Sequence, residues 1–435
     1  MRKILTASII LATGILAPEQ AFGNPALNFE KTLRADYIFS GTSSEQEISL
    51  SELCSLDGWA GRRVNLDRPP LRGNGQITMR ALRDGKPAEV LYAMSFSTLF
   101  QEWQATEEAT RVRRSFENVF LLPMPAAKAQ ITVTLFDFHG KVSKEYSHIV
   151  DPADILIRPA GQNPAPHEWL WKSGSSDEKI DVAIVAEGYT REETGIFLKD
   201  ARDAVESLWA HEPFGSMKDR FNIVAVELPS QDSGVSVPRE GSWKSTAADS
   251  HFDTFYSERY LTTLHLFQLH DALAGIPYEH IILLANTDTY GGGGIFNSYT
   301  LTTAHHSGFR PVVVHEFGHS FAGLADEYYY DDQFSAQYFP DTEPWEPNIT
   351  TRKDFASKWK DMTGRVYTLG RSKLDWPGRQ TAEKAVVGLH EGGGYQSKGV
   401  WRGTQNCRMK TNTYPAFCPV CQRAIRNIID FYTRE

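Results

Sequence analysis

The sequence predicts two domains, an all-β sandwich-like N-terminal domain and a C-terminal domain of α/β type. Three observations carry this. The chain has 435 residues, and a globular domain commonly holds about 100–200. Apolar residues recur at every second position before residue 157, and as short apolar strands alternating with helical stripes after residue 179. A stretch rich in Pro, Gly and Ser lies between. The composition, 41% hydrophobic and 23% charged, is that of a globular protein and excludes a disordered chain, a collagen or a coiled-coil rod. A net charge of −9 argues against a general nucleic-acid binder, which needs a basic surface to neutralise phosphates.

The elements follow in order. Arg2 and Lys3 precede an apolar run from Ile4 to Leu16, and Ala21-Phe22-Gly23 offers small residues at a cleavage site. Residues 1–23 therefore read as a secretory signal peptide, and the mature chain is expected outside the cytoplasm, secreted or periplasmic. No later stretch approaches the length of a membrane-spanning helix. Residues 24–157 form the β-rich domain. Ile131, Val133 and Leu135 fall on one face of a strand with Thr132 and Thr134 on the other, and Ile77, Met79 and Ala81 repeat the pattern. Residues 158–178, with Pro159, Gly161, Pro164, Pro166 and Ser173-Gly174-Ser175-Ser176, read as a linker.

Residues 179–435 form the second domain. Ile180 to Val185 is a buried strand. Thr190 and Glu193 make a capping box ahead of a helix whose stripe is Phe197, Ala201, Ala204, Val205, Leu208 and Trp209. Phe221–Leu228 and His280–Ala285 read as further strands. Gly291 to Gly294 and the following Ile295–Thr302 suggest either an edge strand able to pair with an extended peptide or an ordinary hairpin. A last helix runs through Ala424, Ile425, Ile428, Ile429 and Phe431.

The chemistry concentrates in VVVHEFGHSFAGLADEYYY, Val312 to Tyr330. His315, Glu316 and His319 form H-E-x-x-H. Four residues of helix advance about 400° and 6 Å, so both imidazoles face one side and can share one zinc ion, with Glu316 placed to deprotonate the activated water. A third ligand is required. On a continued helix Asp326 would sit about 10.5 Å farther along the axis, so the chain must turn back, and Gly323 is the residue suited to the turn. Either Asp326 or Glu327 can then reach the metal, Asp326 being preferred, the alternative being a ligand far downstream. Met409, just before the final helix, suits a turn beneath a zinc site. His305, His306 and Tyr328–Tyr330 are candidates to line the cleft.

Of the four cysteines, Cys407, Cys418 and Cys421 cluster near the C-terminus and Cys54 stands apart. An exported protein permits disulfides, and one local bridge is expected among the three. Cys418-Pro-Val-Cys421, a single C-x-x-C without a second pair, is a weak signal for a zinc knuckle or redox motif.

HEFGHSFAGLADEYYY, NCRMKTNTYPAFCPVC and VAEGYT resemble the IgA peptidase family of secreted bacterial metallopeptidases. DYIFSG, WAGRR, SFSTLFQEW and FENVFLLP are similar to the accessory domain that precedes the peptidase unit in that family. The resemblance implies a metzincin-like fold with one catalytic zinc held by His315 and His319, Glu316 as general base and Met409 in the Met-turn. It implies a protein or peptide substrate, with immunoglobulin A or mucin-type glycoproteins among the candidates. The metzincin spacing puts Gly three and the third ligand six residues after the second His. Here Ala322 takes the Gly place, Gly323 follows, and Asp326 comes one residue late. The alternative function is an exported adhesin or binding protein with a vestigial peptidase domain.

Overall fold

The computed structural model describes residues 25–330, 337–370, 380–381 and 383–434. The expected signal peptide, residues 1–23, lies outside them. Strands β1 (Leu27–Gly41), β2 (Gln46–Asp57), β3 (Gly75–Arg83) and β4 (Lys86–Phe96), a short helix α1 (Leu99–Gln104), and strands β5 (Arg114–Pro125), β6 (Ala129–Phe136) and β7 (Val142–Val150) build the first unit. One antiparallel sheet runs β5-β1-β2, the other β4-β3-β6-β7. The two-residue period decides what faces inward. Ile131, Val133 and Leu135 are fully buried, and Ile77 and Met79 lie opposite Val133 and Ile131 on the neighbouring strand. Leu33, Ala35, Tyr37 and Phe39 supply the facing layer. Phe39 meets Phe96 at 6.1 Å and Tyr37 meets Tyr146 at 6.4 Å between ring centroids, so the sheets pack as a sandwich.

The stretch expected as a linker is built into both units. β8 (Arg158–Pro159) pairs in parallel with β2, and β9 (His167–Lys172) is an edge strand of the second unit's main sheet. Its Trp169-Leu170-Trp171 run explains this: Trp169 packs against one core, Leu170 and Trp171 against the other. The Pro, Gly and Ser content of the flanks masked a strand-forming aromatic core.

The second unit continues with β10 (Ile180–Glu187), α2 (Thr194–Trp209), β11 (Phe221–Val226), α3 (Leu266–Ala272), β12 (His280–Ala285), β13 (Gly292–Ile295), β14 (Tyr299–Thr303) and α4 (Phe309–Ala322). After α4 come the short strands β15 (Tyr329–Tyr330), β16 (Ile349–Thr350), β17 (Val366–Thr368), β18 (Lys384–Val386), β19 (His390–Gly393) and β20 (Tyr395–Arg402), then α5 (Pro419–Thr433). The main sheet has the order β13-β14-β12-β10-β11-β9. Its four inner strands are parallel and both edges antiparallel.

Every residue of β10 is buried, as a parallel strand covered on both faces requires. Ile180, Val182 and Ile184 point to Phe197 of α2, Phe317 and Phe321 of α4 and Ile425 of α5. Ala183 and Val185 point the other way and join the cluster that contains the sandwich interior. The sandwich thus shares a continuous core, joined by α3, with the face of the main sheet opposite α2, α4 and α5.

Arg34 of β1 ties the two units electrostatically. Its guanidinium is buried, donates to Asp36 at 2.7 and 2.8 Å, and reaches Asp271 of α3 at 2.6 Å. Arg34→Met should cost about 3–5 kcal/mol, because it leaves the Asp36 carboxylate buried without a counter-charge. Urea unfolding of the variant tests this, and a midpoint unchanged from the parent would contradict it.

Candidate metal centre

Helix α4 carries His315, Glu316 and His319 toward a cleft of about 790 Å³. It ends at Gly323, whose backbone is left-handed at φ 58° and whose N–H closes the last turn on the Gly318 and His319 carbonyls. That reversal brings the following residues back over the imidazoles. A side chain without a Cβ penalty at positive φ is what the position requires.

The two histidines have a defined tautomer. His315 Nδ1 lies 3.0 Å from the Arg408 carbonyl and His319 Nδ1 2.5 Å from the Leu324 carbonyl. A carbonyl only accepts, so each Nδ1 donates, and in the neutral ring each Nε2 keeps its lone pair. Those Nε2 atoms lie 3.0 Å apart, and Asp326 Oδ1 is 3.0 Å from the first and 3.3 Å from the second. Three lone-pair donors converge with no proton donor among them unless an imidazole is charged. Bonds of about 2.0–2.2 Å to a tetrahedral zinc separate ligand atoms by roughly 3.3–3.5 Å. The observed triangle fits such an ion after small adjustment.

Asp326 and Glu327 diverge. Asp326 faces the histidines, and its other oxygen accepts a hydrogen bond from the Tyr395 hydroxyl. Glu327 points away, to Cys421 Sγ at 3.2 Å and Asn348 Nδ2 at 3.2 Å. Successive residues of an extended segment project to opposite sides, so only one can reach the imidazoles. Without metal, burial works against a charged His319, but the Asp326 carboxylate outweighs it and lifts the imidazole to about 9. Burial likewise opposes Asp326 ionisation, yet His319 and His315 hold the carboxyl well below the usual range.

Glu316 lies beside this triangle on the cleft wall, its carboxyl pushed up by burial against the opposing pull of His315 and His319. Strand β13 runs close by: a Cβ on Gly292 would sit 3.1 Å from Glu316 Oε1, and one on Gly294 only 2.2 Å from the Glu316 carbonyl. Glycine at position 294 is therefore a packing necessity. The outer edge of β13 is not free for a peptide throughout, since Gly292 N–H donates to the Arg259 carbonyl and Tyr260 bridges it in parallel. Tyr328 and Tyr330 line the cleft, whereas His305 turns aside to Asp200 at 2.7 Å and His306 packs on Tyr290.

Met409 is fully buried beneath α4. A Cβ on Gly318 would meet its Sδ at 3.1 Å, and its carbonyl accepts from Glu327 N–H at 2.8 Å. The bridge expected among Cys407, Cys418 and Cys421 is not formed. All three carry free thiols, with Cys407 and Cys421 Sγ 3.7 Å apart, well beyond the disulfide length of about 2.05 Å.

Several cleft residues escaped sequence reasoning. Tyr395 sits in a loop-like Gly-Gly-Gly-Tyr-Gln run and reaches Asp326 only because β20 pairs in parallel with β15. Glu102 comes from α1 of the sandwich unit, bonded by the Tyr260 hydroxyl and raised by burial to about 7. Neither carries a local signal.

Two family profiles match the chain. That described as IgA Peptidase M64 covers residues 169–377 and 370–429, and that described as the Peptidase M64 N-terminus covers residues 26–147. The chain belongs to the IgA peptidase M64 family. This is a family of metallopeptidases, so the protein is a peptidase acting on protein substrates, with the two-part layout of its relatives. No curated protein matches the chain.

The charged His319–Asp326 pair gives the metal-free member a pH signature. A histidine raised from 6.5 to about 9 adds stability that is complete below pH 6.5 and disappears as pH rises to 9. Chelator-treated protein should therefore lose thermal stability over that window relative to His319→Ala. Melting curves for the two that run parallel from pH 6.5 to 9 would show that no such proton is held.

Proposed function

We propose that this M64 peptidase is an exported, metzincin-like zinc endopeptidase, secreted or periplasmic once residues 1–23 are removed. The observation that carries the reading is the convergence of His315 Nε2, His319 Nε2 and Asp326 Oδ1 beside Glu316. Zinc, when bound, supplies a Lewis acid that polarises a carbonyl and lowers the pKa of water to about 7.

The residues divide the remaining work. The Arg408 and Leu324 carbonyls hold both rings in the Nδ1–H tautomer, leaving Nε2 free to bind metal. Tyr395 orients Asp326, the third ligand. Glu316 takes a proton from the attacking water and passes it to the leaving amine; burial raises its carboxyl above the ordinary range. Met409, packed under Gly318, is the Met-turn residue.

A cleft of about 790 Å³ lined from both units holds a segment of polypeptide rather than a single terminal residue, which favours internal cleavage. The family description makes immunoglobulin A the first substrate to try, with mucin-type glycoproteins next.

Glu316→Ala should retain metal and lose cleavage by about 10²–10⁴-fold. The measurement is mass spectrometry of an unfolded-protein peptide pool incubated with residues 24–435 and with the variant. Equal cleavage by both would remove Glu316 from the mechanism. No cleavage by the parent, with metal bound and immunoglobulin A or mucin captured intact, would favour the adhesin reading.

A further inference from the structure

Behind the Asp326 loop lies a second cluster of ligand-type side chains that the peptidase chemistry does not use. Cys407, Cys418, Cys421 and Glu327 are all completely buried, and their ligand atoms lie within 4.8 Å of one another. Cys407 Sγ is 3.7 Å from Cys421 Sγ, and Glu327 Oε1 is 3.2 Å from Cys421 Sγ and 4.0 Å from Cys418 Sγ. The loop after α4 supplies Glu327, and the turn before Met409 and the start of α5, some eighty to ninety residues later, supply the cysteines.

We propose that Cys407, Cys418, Cys421 and Glu327 form a second, structural zinc site that locks the Asp326 loop to the Met409 turn and to α5. Three of the six separations fit a tetrahedron around zinc, and the rest lie within 4.8 Å. Zn–S bonds of about 2.3 Å put sulfurs roughly 3.8 Å apart, and a carboxylate oxygen at about 2.0–2.2 Å lies roughly 3.6 Å from each sulfur. The measured 3.7 Å matches the first separation, and 3.2 and 4.0 Å bracket the second.

An independent observation points to a cation. Glu327 Oε2 is buried with no hydrogen-bond partner. A buried carboxyl in that condition either takes up a proton or needs a positive charge beside it. A disulfide does not remove the difficulty. Three thiols leave one unpaired whichever bridge forms, and no bridge gives Glu327 Oε2 a partner. Backbone donors already face two of the sulfurs: Cys407 Sγ accepts Cys418 N–H at 3.2 Å, and Cys418 Sγ accepts Cys421 N–H at 3.5 Å at the positive end of α5. Sulfur-rich ligation selects zinc over calcium or magnesium, and four protein ligands leave no open position for chemistry. Loading releases the thiol protons to solvent.

The consequence concerns the cleft. Glu327 and Asp326 are adjacent and project to opposite sides, and Glu327 N–H is bonded to the Met409 carbonyl at 2.8 Å. A metal holding Glu327 therefore positions the carboxylate that faces the histidines. The site itself does not depend on the proposed peptidase mechanism.

The test uses full-length exported protein and its His315→Ala/His319→Ala variant, both supplied with zinc, with elemental analysis and zinc X-ray absorption. The double variant should keep one zinc per chain with sulfur scattering at about 2.3 Å, and the parent should hold two. A double variant without zinc, or with zinc bound only by nitrogen and oxygen, overturns the proposal. So does non-reducing peptide mapping that finds a bridge among the three cysteines. A parent whose only zinc is sulfur-ligated would instead sustain this site and refute the catalytic one. Since both proteins keep all three cysteines, the result does not hang on whether a cysteine variant folds.

Discussion

The reversal at Gly323 governs the chemistry of the cleft, because a helix running on would have carried Asp326 about 10.5 Å past the histidines. With φ at 58°, the chain doubles back and sets a carboxylate against two Nε2 lone pairs. The arrangement is electrostatically unsatisfied in its neutral form and needs a proton or a metal at its centre. Much of the surrounding structure serves to hold that geometry. Two backbone carbonyls orient the imidazoles, Tyr395 orients the carboxylate, and Met409 fills the space that Gly318 leaves open beneath the helix.

Alternation along the extended segment gives the same loop a second role. Asp326 turns to the cleft and Glu327 to the buried thiols, so neighbouring residues bind the loop to two different centres. Through Cys407 and Cys418 the second centre reaches the Met409 turn and the start of α5. A rigid floor for the histidines is thereby built from chain segments about ninety residues apart.

The sandwich is more than an appendage to this apparatus. With α3 it covers the face of the main sheet that α2, α4 and α5 leave open, sharing one core with Val185, Val226 and Leu283. Its helix α1 contributes Glu102 to the cleft, and Arg34 anchors it to α3. A wall of the cleft therefore depends on the sandwich being seated, which gives a physical reason for the N-terminal unit to accompany the peptidase unit.

Local pattern made several features legible in the sequence. Period-two runs marked β3 and β6, helical stripes marked α2 and α5, and the H-E-x-x-H spacing on one helix face named His315, Glu316 and His319. The turn at Gly323 followed from helix rise and the steric freedom of glycine. The helix, strand and turn readings hold in the fold because they depend on forces acting within a few residues. The linker reading of 158–178 failed because burial of Trp169 and Trp171 depends on partners far away, and the disulfide expected from three neighbouring cysteines of an exported chain failed because closeness in sequence does not set the distance between sulfurs. Tyr395, Glu102 and the choice between Asp326 and Glu327 belong to the same class. Ligand type and helix geometry are written in the chain by itself; which carboxylate meets the imidazoles, and what meets the thiols, only tertiary packing decides, because convergence of groups remote in sequence is a property of the folded core.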